Sequence, residues 1–334
     1  MRAPIEAVLP FWLDRPDEEA LDIAQAAADA GLTGLWIGEM ATFDAFALAT
    51  AIGIREPGLQ LRVGPLPISV RNPVAIALAA SSVASLTGCQ IDIALGASSP
   101  VIVAGWHDRE WSHAAARMRE TIECLRPILR GERTDYDGRY VRSHGFRLRH
   151  PLPHSSIGIG PFGPTMMKLA AQLADEVVLN LATPQRVVQV REQIDRDAAE
   201  AGRTAPHLTV WVPVAVRPGE AALRQLAGQL TVYLAPPGYG EMFCELGFAE
   251  LVGRARSGAR RSELAAAVPV ELAEQLAAFG TPEQTTARLQ AYLDAGADTV
   301  AVIPVTAEDP AGRAALHCAA DSCRVTSTSQ ETSP

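Results

Sequence analysis

The sequence predicts an α/β fold, a single (β/α)8 TIM barrel with insertions, on three observations. Short β-rich apolar runs alternate with longer helical patterns along most of the 334 residues, the order that right-handed βαβ units on a parallel sheet produce. Eight such runs can be counted, the number a closed barrel needs. The rival doubly wound sheet would use fewer strands and a glycine fingerprint in its first βα turn. Here that turn reads Phe11-Trp12-Leu13-Asp14-Arg15-Pro16, without glycine. No linker divides the chain, so residues 1–320 are expected to form one barrel and residues 321–334 a polar, disordered tail.

Taken in order, Ile5–Phe11 reads as a buried strand, followed by a helix that starts at the acidic stretch Asp17–Ala20 and closes at Gly31. Gly34–Gly38 is the second strand and Phe43–Arg55 its helix. Leu59–Leu66 is the third, followed by an alanine-rich helix over Pro73–Leu86 that stops at Gly88. Glycine just past a helix supplies a left-handed cap at little cost. Ile91–Leu95 is the fourth strand, opening into Gly96-Ala97-Ser98-Ser99-Pro100 and a long helix from about Trp111 to Arg130. Asp135–Tyr140 and Gly145–Leu148 suggest a hairpin outside the main sheet. Ser156–Gly160 and Glu176–Leu179 are strands five and six, with a helix at Pro164–Leu173 between them. A helix over Gln185–Ala201 leads to strand Leu208–Val214. Residues 219–279 look helical, interrupted by the loop around Pro236-Pro237-Gly238. Helix Pro282–Ala295 and strand Thr299–Pro304 close the series.

Composition excludes several function classes. Hydrophobic residues at 48% and charged residues at 20% describe a globular chain rather than a disordered or fibrous one. The net charge is −9 and no basic run is interleaved with aromatics, which argues against a nucleic-acid partner. The five cysteines (Cys89, Cys124, Cys244, Cys318, Cys323) are scattered, with no CxxC, so neither a disulfide framework nor a metal site is expected. The N-terminus lacks an apolar core of signal-peptide length, and no run reaches the roughly 18 apolar residues of a membrane helix. A cytoplasmic protein without membrane contact is expected.

In such barrels the active site lies at the C-terminal ends of the strands. That rule selects Phe11, Trp12, Glu39, Met40, residues 64–69, 96–100 and 160–163, Asn180 and Trp211. The set is aromatic and glycine-rich but short of titratable groups. It has no paired carboxylates, no His/Asp metal set and no GxSxG nucleophile elbow. A planar cofactor that brings its own reactivity therefore gains ground over hydrolysis or metal catalysis.

Three features carry chemical information. The loop Gly96–Pro100 lets backbone N–H groups approach a phosphate and offers the hydroxyls of Ser98 and Ser99; its ordinary reading is a tight βα turn. Val63-Gly64-Pro65-Leu66-Pro67 must distort or end the third strand, because proline removes a ladder donor. A cis Gly64–Pro65 bond is inexpensive there, and such a bulge could press on a flat ring. The ordinary reading is a strand terminus. Gly160-Pro161-Phe162-Gly163-Pro164 could bring backbone to a cofactor or simply start a helix. All three fall on one rim of the predicted barrel.

The segments GLTGLWIGEMATFDAFALATAIG, LRVGPLPISVRNPVAIALAASSVASLTG, IDIALGASSPVIVAGWH and GPFGPTMMKLAAQLAD together resemble the bacterial-luciferase-like superfamily, and more closely its actinobacterial deazaflavin-dependent branch. The resemblance runs from about Ile5 to Ala311. It implies a luciferase-like TIM barrel, dimeric through helices of the N-terminal half, with coenzyme F420 (FMN in other branches) lying across the strand ends. It places the cofactor phosphate near Gly96, Ala97, Ser98 and Ser99, a cis-peptide bulge at Gly64–Pro65 with Leu66, and a second backbone wall at Gly160, Pro161, Phe162 and Gly163. The chain departs from the family's sugar-phosphate dehydrogenases. Where they carry Asp-His it has Glu39-Met40, and where their phosphate loop has Glu it has Ser99. The family's common Gly-Arg before the fourth strand is here Gly88-Cys89.

Glu39, at a strand end beside apolar Met40, is the candidate proton-transfer group, against the ordinary role of helix cap or hydrogen-bond partner. Phe11, Trp12, Met40, Trp106, His107 and Trp211 are candidates for the substrate pocket, although buried aromatics often only fill cores. Arg71 could meet an anionic cofactor tail or lie in solvent. The implied reaction is hydride transfer between the deazaflavin C5 and a small organic substrate, reducing an activated C=C, C=N or C=O bond. The alternatives are an FMN-dependent monooxygenase fed by a separate reductase, and a non-catalytic flavin-binding barrel.

Overall fold

The computed structural model describes residues 4–330 apart from Leu13 and Met40, with side chains through Ser322. Short runs that are buried on both faces form its strands: β1 (Ile5–Val8), β2 (Gly34–Ile37), β3 (Gln60–Pro67) and β4 (Ile91–Gly96), then a two-stranded excursion of β5 (Asp135–Asp137) and β6 (Arg142–His144). They continue as β7 (Ile157–Gly160), β8 (Glu176–Asn180), β9 (His207–Val216), β10 (Ala278–Gly280) and β11 (Thr299–Pro304). The pairing order β8-β9-β11-β1-β2-β3-β4-β7-β8 returns on itself, with β10 added beside β9. This is the closed strand order of a (β/α)8 barrel, as expected. The ladders β1–β11, β2–β3, β3–β4, β4–β7 and β7–β8 are parallel.

Several elements differ from the sequence reading. β1 stops at Val8 rather than Phe11, because Pro10 has no N–H to continue a ladder. The second hairpin strand is Arg142–His144, not Gly145–Leu148; Gly145 instead turns at φ 78° and donates its N–H to the Thr134 carbonyl. The stretch after Pro100 winds into a six-residue π-helix, Val101–Trp106, before the helix Ala114–Leu129 begins. Residues 219–279 break into five helices and β10, a three-residue strand too short to leave a periodic signal. The polar tail falls partly on a last helix, Arg313–Gln330, and partly on residues 331–334, outside the described residues. Helix starts follow capping chemistry: Asp44 accepts from the N–H groups of Phe46 and Ala47, and Asn72 from that of Ala75. Gly88 ends its helix in the left-handed conformation, φ 77°.

The chain clusters into two compact units, residues 1–32, 180–187 and 210–334 in the first, and residues 33–179 and 188–209 in the second. In the first, Trp12, Ala215, Ala222 and Val305 form one buried cluster, and Leu226, Leu230, Leu234, Phe243 and Leu272 anchor a larger one under the helices after β9. In the second, the N-terminal ends of three strands bury charge. The Arg62 guanidinium, wholly inaccessible, lies 2.6 Å from Asp92 and 3.8 Å from Glu176, and over the Trp36 ring at 5.6 Å. Asp92 also accepts from the Gln60 carboxamide and the Ser156 N–H, and the Thr209 hydroxyl donates to Glu176. Ion pairing and hydrogen bonding of this kind are what make a buried charge tolerable. The hairpin β5–β6 is moored separately: Glu120 accepts the backbone N–H groups of Arg139, Tyr140 and Val141 at 3.1, 2.6 and 2.9 Å.

Candidate functional site

The three glycine motifs of the sequence meet in the second unit. β3 pairs with β4 in register up to Val63↔Ile93 and again from Leu66↔Leu95, so Gly64 and Pro65 oppose Ala94 alone. Two residues against one is a β-bulge, which bends the strand and re-aims it. The Gly64–Pro65 bond is cis and Gly64 has φ 129°. A Cβ on Gly64 would stand 2.2 Å from the Ala94 carbonyl oxygen, so only glycine fits. Pro65 reaches the neighbouring strand ends: a Cβ on Gly96 would lie 3.0 Å from Pro65 Cβ, and one on Gly160 would lie 3.4 Å from Pro65 Cγ. Gly64, Leu66 and Gly96 are buried, while Pro65 and Gly160 keep partial exposure. The result is a floor of main chain and a proline ring without projecting side chains. Proline does not end β3, which runs on to Pro67.

The loop after β4 borders this floor. Ser98 adopts the left-handed region at φ 60°, and the Trp111 indole N–H donates to the carbonyls of Ala97 and Ser98 at 3.2 and 3.3 Å. The Ser99 hydroxyl accepts from the Ile102 N–H at 3.4 Å, and its carbonyl from the Val103 N–H at 2.9 Å. Past β7, Pro161 is buried, Phe162 is 44% exposed, and Gly163 has φ 74° with open space where its side chain would be. Trp106 and His107, at the end of the π-helix and just after it, are both exposed, so neither is enclosed by the described residues of this unit.

Glu39 is half-buried after β2 and is gripped by Arg71, whose Nε lies 2.9 and 2.8 Å from its two oxygens and whose Nη2 also donates to it. The same Nη2 donates to Asp44, and the guanidinium stacks on the Phe46 ring at 5.4 Å. Glu39 in particular, then burial in the opposite sense, and Asp44 together hold the Arg71 guanidinium above its ordinary range. Burial pushes Asp44 up, but the Ala47 N–H and Arg71 outweigh it and leave the carboxyl below the usual range. Arg71 is thus neither a solvated side chain nor a free one. Thirty-two residues separate it from Glu39, a pairing that no local pattern announces. Met40 lies outside the described residues.

Phe11, Trp12 and Trp211 belong to the first unit. Trp12 is core: 7% exposed, it donates its indole N–H to the Pro304 carbonyl at 2.9 Å. Trp211 is equally buried on β9, and Phe11 is partly exposed. Sequence reasoning missed the polar set around Asn180 in this unit. Asn180 donates to the Tyr239 hydroxyl at 2.9 Å, and the Tyr233 and Tyr239 rings pack at 4.6 Å. Burial raises both phenols. The only hint in the sequence was the strand-end position of Asn180.

The floor on the second unit, main chain and a proline ring without projecting side chains, suits the face of a planar cofactor, and the adjoining loop offers main chain and two hydroxyls that suit a phosphate. Fold and site together define a (β/α)8 barrel with a main-chain floor at the C-terminal ends of its third, fourth and fifth strands. The chain belongs to the luciferase-like monooxygenase family, whose profile matches residues 13–299. It is 24% identical to a Mycobacterium tuberculosis protein named as a coenzyme F420-dependent oxidoreductase, over 92% of this chain and 97% of the other. Among solved structures, it shares its fold with an F420-dependent secondary alcohol dehydrogenase at a TM-score of 0.79 and 17% identity, over 97% of this chain and 100% of that one. It also shares it with the EDTA monooxygenase of Chelativorans sp. BNC1 at a TM-score of 0.72 and 16% identity, over 100% of this chain and 95% of the other. The family resemblance read from the sequence is borne out.

Proposed function

We propose that the protein is a coenzyme F420-dependent oxidoreductase that reduces an activated C=C, C=N or C=O bond of a small organic substrate. The observation that carries this reading is the floor made by the Gly64–Pro65 bulge between Gly96 and Gly160. A backbone wall supports a ring by contact alone and leaves the ring's own reactivity to set the reaction. The name of the M. tuberculosis relative, matched over nearly the full length of both chains, favours the deazaflavin over FMN. When bound, the deazaflavin supplies the hydride at its C5. The bulge holds the ring's plane, Gly96 to Ser99 take the phosphate, and Gly160 to Gly163 form the second wall. Glu39, a carboxylate oriented by the two-pronged grip of Arg71, relays the proton that completes the reduction, taking it up from solvent water and passing it to the substrate.

Parallel fluorescence titration of purified apo-protein with coenzyme F420 and with FMN tests this reading. Tighter binding of F420 is expected; tighter binding of FMN overturns it and directs the search to oxygen consumption with a partner reductase. Glu39→Gln should lower turnover on the reduced substrate by about 10²–10⁴-fold while cofactor affinity stays within roughly twofold of wild type, since the isosteric carboxamide still offers Arg71 one acceptor oxygen. Equal turnover would remove Glu39 from the chemistry.

Two finer points belong to the same proposal. Ile54 on the helix Ala45–Arg55, with Leu78 and Leu86 on the helix Pro73–Thr87, are more than half exposed, apolar surface suited to a homodimer contact through these helices. Light scattering reads that state directly. Cys89, Cys124, Cys244 and Cys318 are free thiols, which suits a reducing cytoplasm. No helix among the described residues is long and apolar enough to cross a membrane.

A further inference from the structure

The first unit contains a cavity of about 610 Å³, a volume typical of small-molecule sites. Its walls come from one face of the helix Glu220–Leu230, which contributes Arg224, Gln225 and Gln229, and from the start of the helix Arg261–Ala267. Asp14 and Arg15 after β1 and Ala307 after β11 complete it. Neither the strand-end motifs nor the family match assigns this cavity a role.

Its floor is rigidly built. Gln225 is 5% exposed, and its carbonyl oxygen accepts the backbone N–H groups of Thr306 and Ala307 at 2.8 and 3.0 Å. Its carboxamide nitrogen is thereby turned to Asp14, which accepts from it at 3.1 and 3.3 Å. Both hydrogen-bonding ends of Gln225 are spent, so the floor cannot rotate to suit a ligand.

The three arginines differ in what they have left to give. Arg15 is forked onto Glu19 at 3.0 and 2.8 Å, and Glu19 is buried behind it, where it also accepts from the Thr306 hydroxyl. Arg224 pairs with Glu220 one helical turn away, in solvent. Arg261 has no carboxylate partner among the described residues. Its Nε donates to the Thr231 hydroxyl at 3.2 Å and its Nη2 to the Gly228 carbonyl at 3.4 Å, both neutral acceptors. Those two bonds fix the guanidinium plane and leave the Nη1 edge uncommitted. Asp14 sets one negative charge in the lining, which its bond from the neutral Gln225 carboxamide does not remove, against the positive charges of Arg224 and Arg261. A planar guanidinium held at two points, with spare N–H groups, matches the geometry of an oxyanion better than any other ligand chemistry.

We propose that this cavity binds a small molecule through a phosphate or carboxylate group, with Arg261 as its principal donor and Arg224 and Ser262 beside it. The site needs no bound flavin, so it stands or falls separately from the cofactor reading.

The test uses the purified full-length chain and inorganic phosphate or acetate as probes, titrated at constant ionic strength against chloride with binding read by isothermal calorimetry. Phosphate can also enter the Gly96–Ser99 loop, so a Ser99→Glu variant, which places a negative charge there, isolates the cavity. In that background phosphate or acetate should still bind, and adding Arg261→Gln should weaken it at least tenfold. Ser262→Glu, which leaves the bonds of Arg261 in place, should weaken it comparably, and both variants should melt within a few degrees of their parent. The proposal is overturned if Ser99→Glu alone abolishes all binding, or if Arg261→Gln and Ser262→Glu leave it unchanged. Loss of F420 affinity in Ser99→Glu with retained phosphate binding would bear on the cofactor loop only.

Discussion

Replacing Gly64 with alanine should cost roughly 2–6 kcal/mol, the sum of a strained left-handed backbone and a core overlap. The new Cβ would sit 2.2 Å from the Ala94 carbonyl oxygen and 2.9 Å from both Ala94 C and Leu66 N, all backbone atoms that cannot swing aside. Gly64 also has φ 129°, a region closed to alanine without strain. Relief requires β3 and β4 to separate at the bulge, so cofactor affinity should fall at least tenfold together with stability. Two companion substitutions separate these effects. Gly163→Ala meets no atom within 4 Å and carries only the strain of φ 74°, so it should cost about 1 kcal/mol. Gly96→Ala would press Pro65 at 3.0 Å, with a smaller loss of stability than Gly64→Ala and a marked loss of cofactor binding. Thermal melts and the F420 titration measure both. A Gly64→Ala protein with wild-type Tm and affinity would show that the bulge supports nothing.

Arg62→Met should destabilise the chain by about 3–5 kcal/mol, the cost of removing one partner from a buried ion pair. The methionine fills much of the arginine's volume, so the loss is not mainly a cavity. What remains is Asp92 and Glu176, 3% and 1% exposed, facing each other without the guanidinium that lay 2.6 and 3.8 Å away. Asp92 keeps the Gln60 and Ser156 donors and Glu176 keeps Thr209, which softens the penalty without cancelling it. The expected fall in Tm is on the order of 10 °C. Cofactor binding per folded molecule should be unchanged, because the cluster lies at the N-terminal ends of the strands, where barrels carry stability rather than catalysis. An unchanged Tm would mean that the cluster is energetically neutral.

The eight barrel strands were legible because each is a short apolar run bounded by turn chemistry, and the Gly64–Pro65 bulge because proline in a strand forces a local answer. The Arg62 cluster was missed although a signal for it exists. Arg62 in Gln60-Leu61-Arg62-Val63, Asp92 in Ile91-Asp92-Ile93 and Glu176 before Val177-Val178 each place a charge near the start of an apolar strand. Read strand by strand, each looks like an edge residue; read across the strands, they share one depth. The grip of Arg71 on Glu39 and the exhaustion of Gln225 at the cavity floor were illegible for another reason. Both join elements far apart in the chain through side-chain geometry, which periodicity does not encode. The break-up of residues 219–279 escaped because its short helices and β10 are held by tertiary packing rather than by propensity.

The mooring of the β5–β6 hairpin to Glu120 makes that hairpin separable from the barrel by protons. Burial pushes this carboxyl up, yet the N–H groups of Tyr140, Val141 and Arg139 more than compensate and hold it below its ordinary value. A depressed native value adds stability that is present above the ordinary carboxylate range and is lost as pH falls through the native one. Acid should therefore release the hairpin as a local opening before the parallel sheet yields. In hydrogen exchange, the amides of residues 139–141 would lose protection while those of β4 and β7 keep theirs.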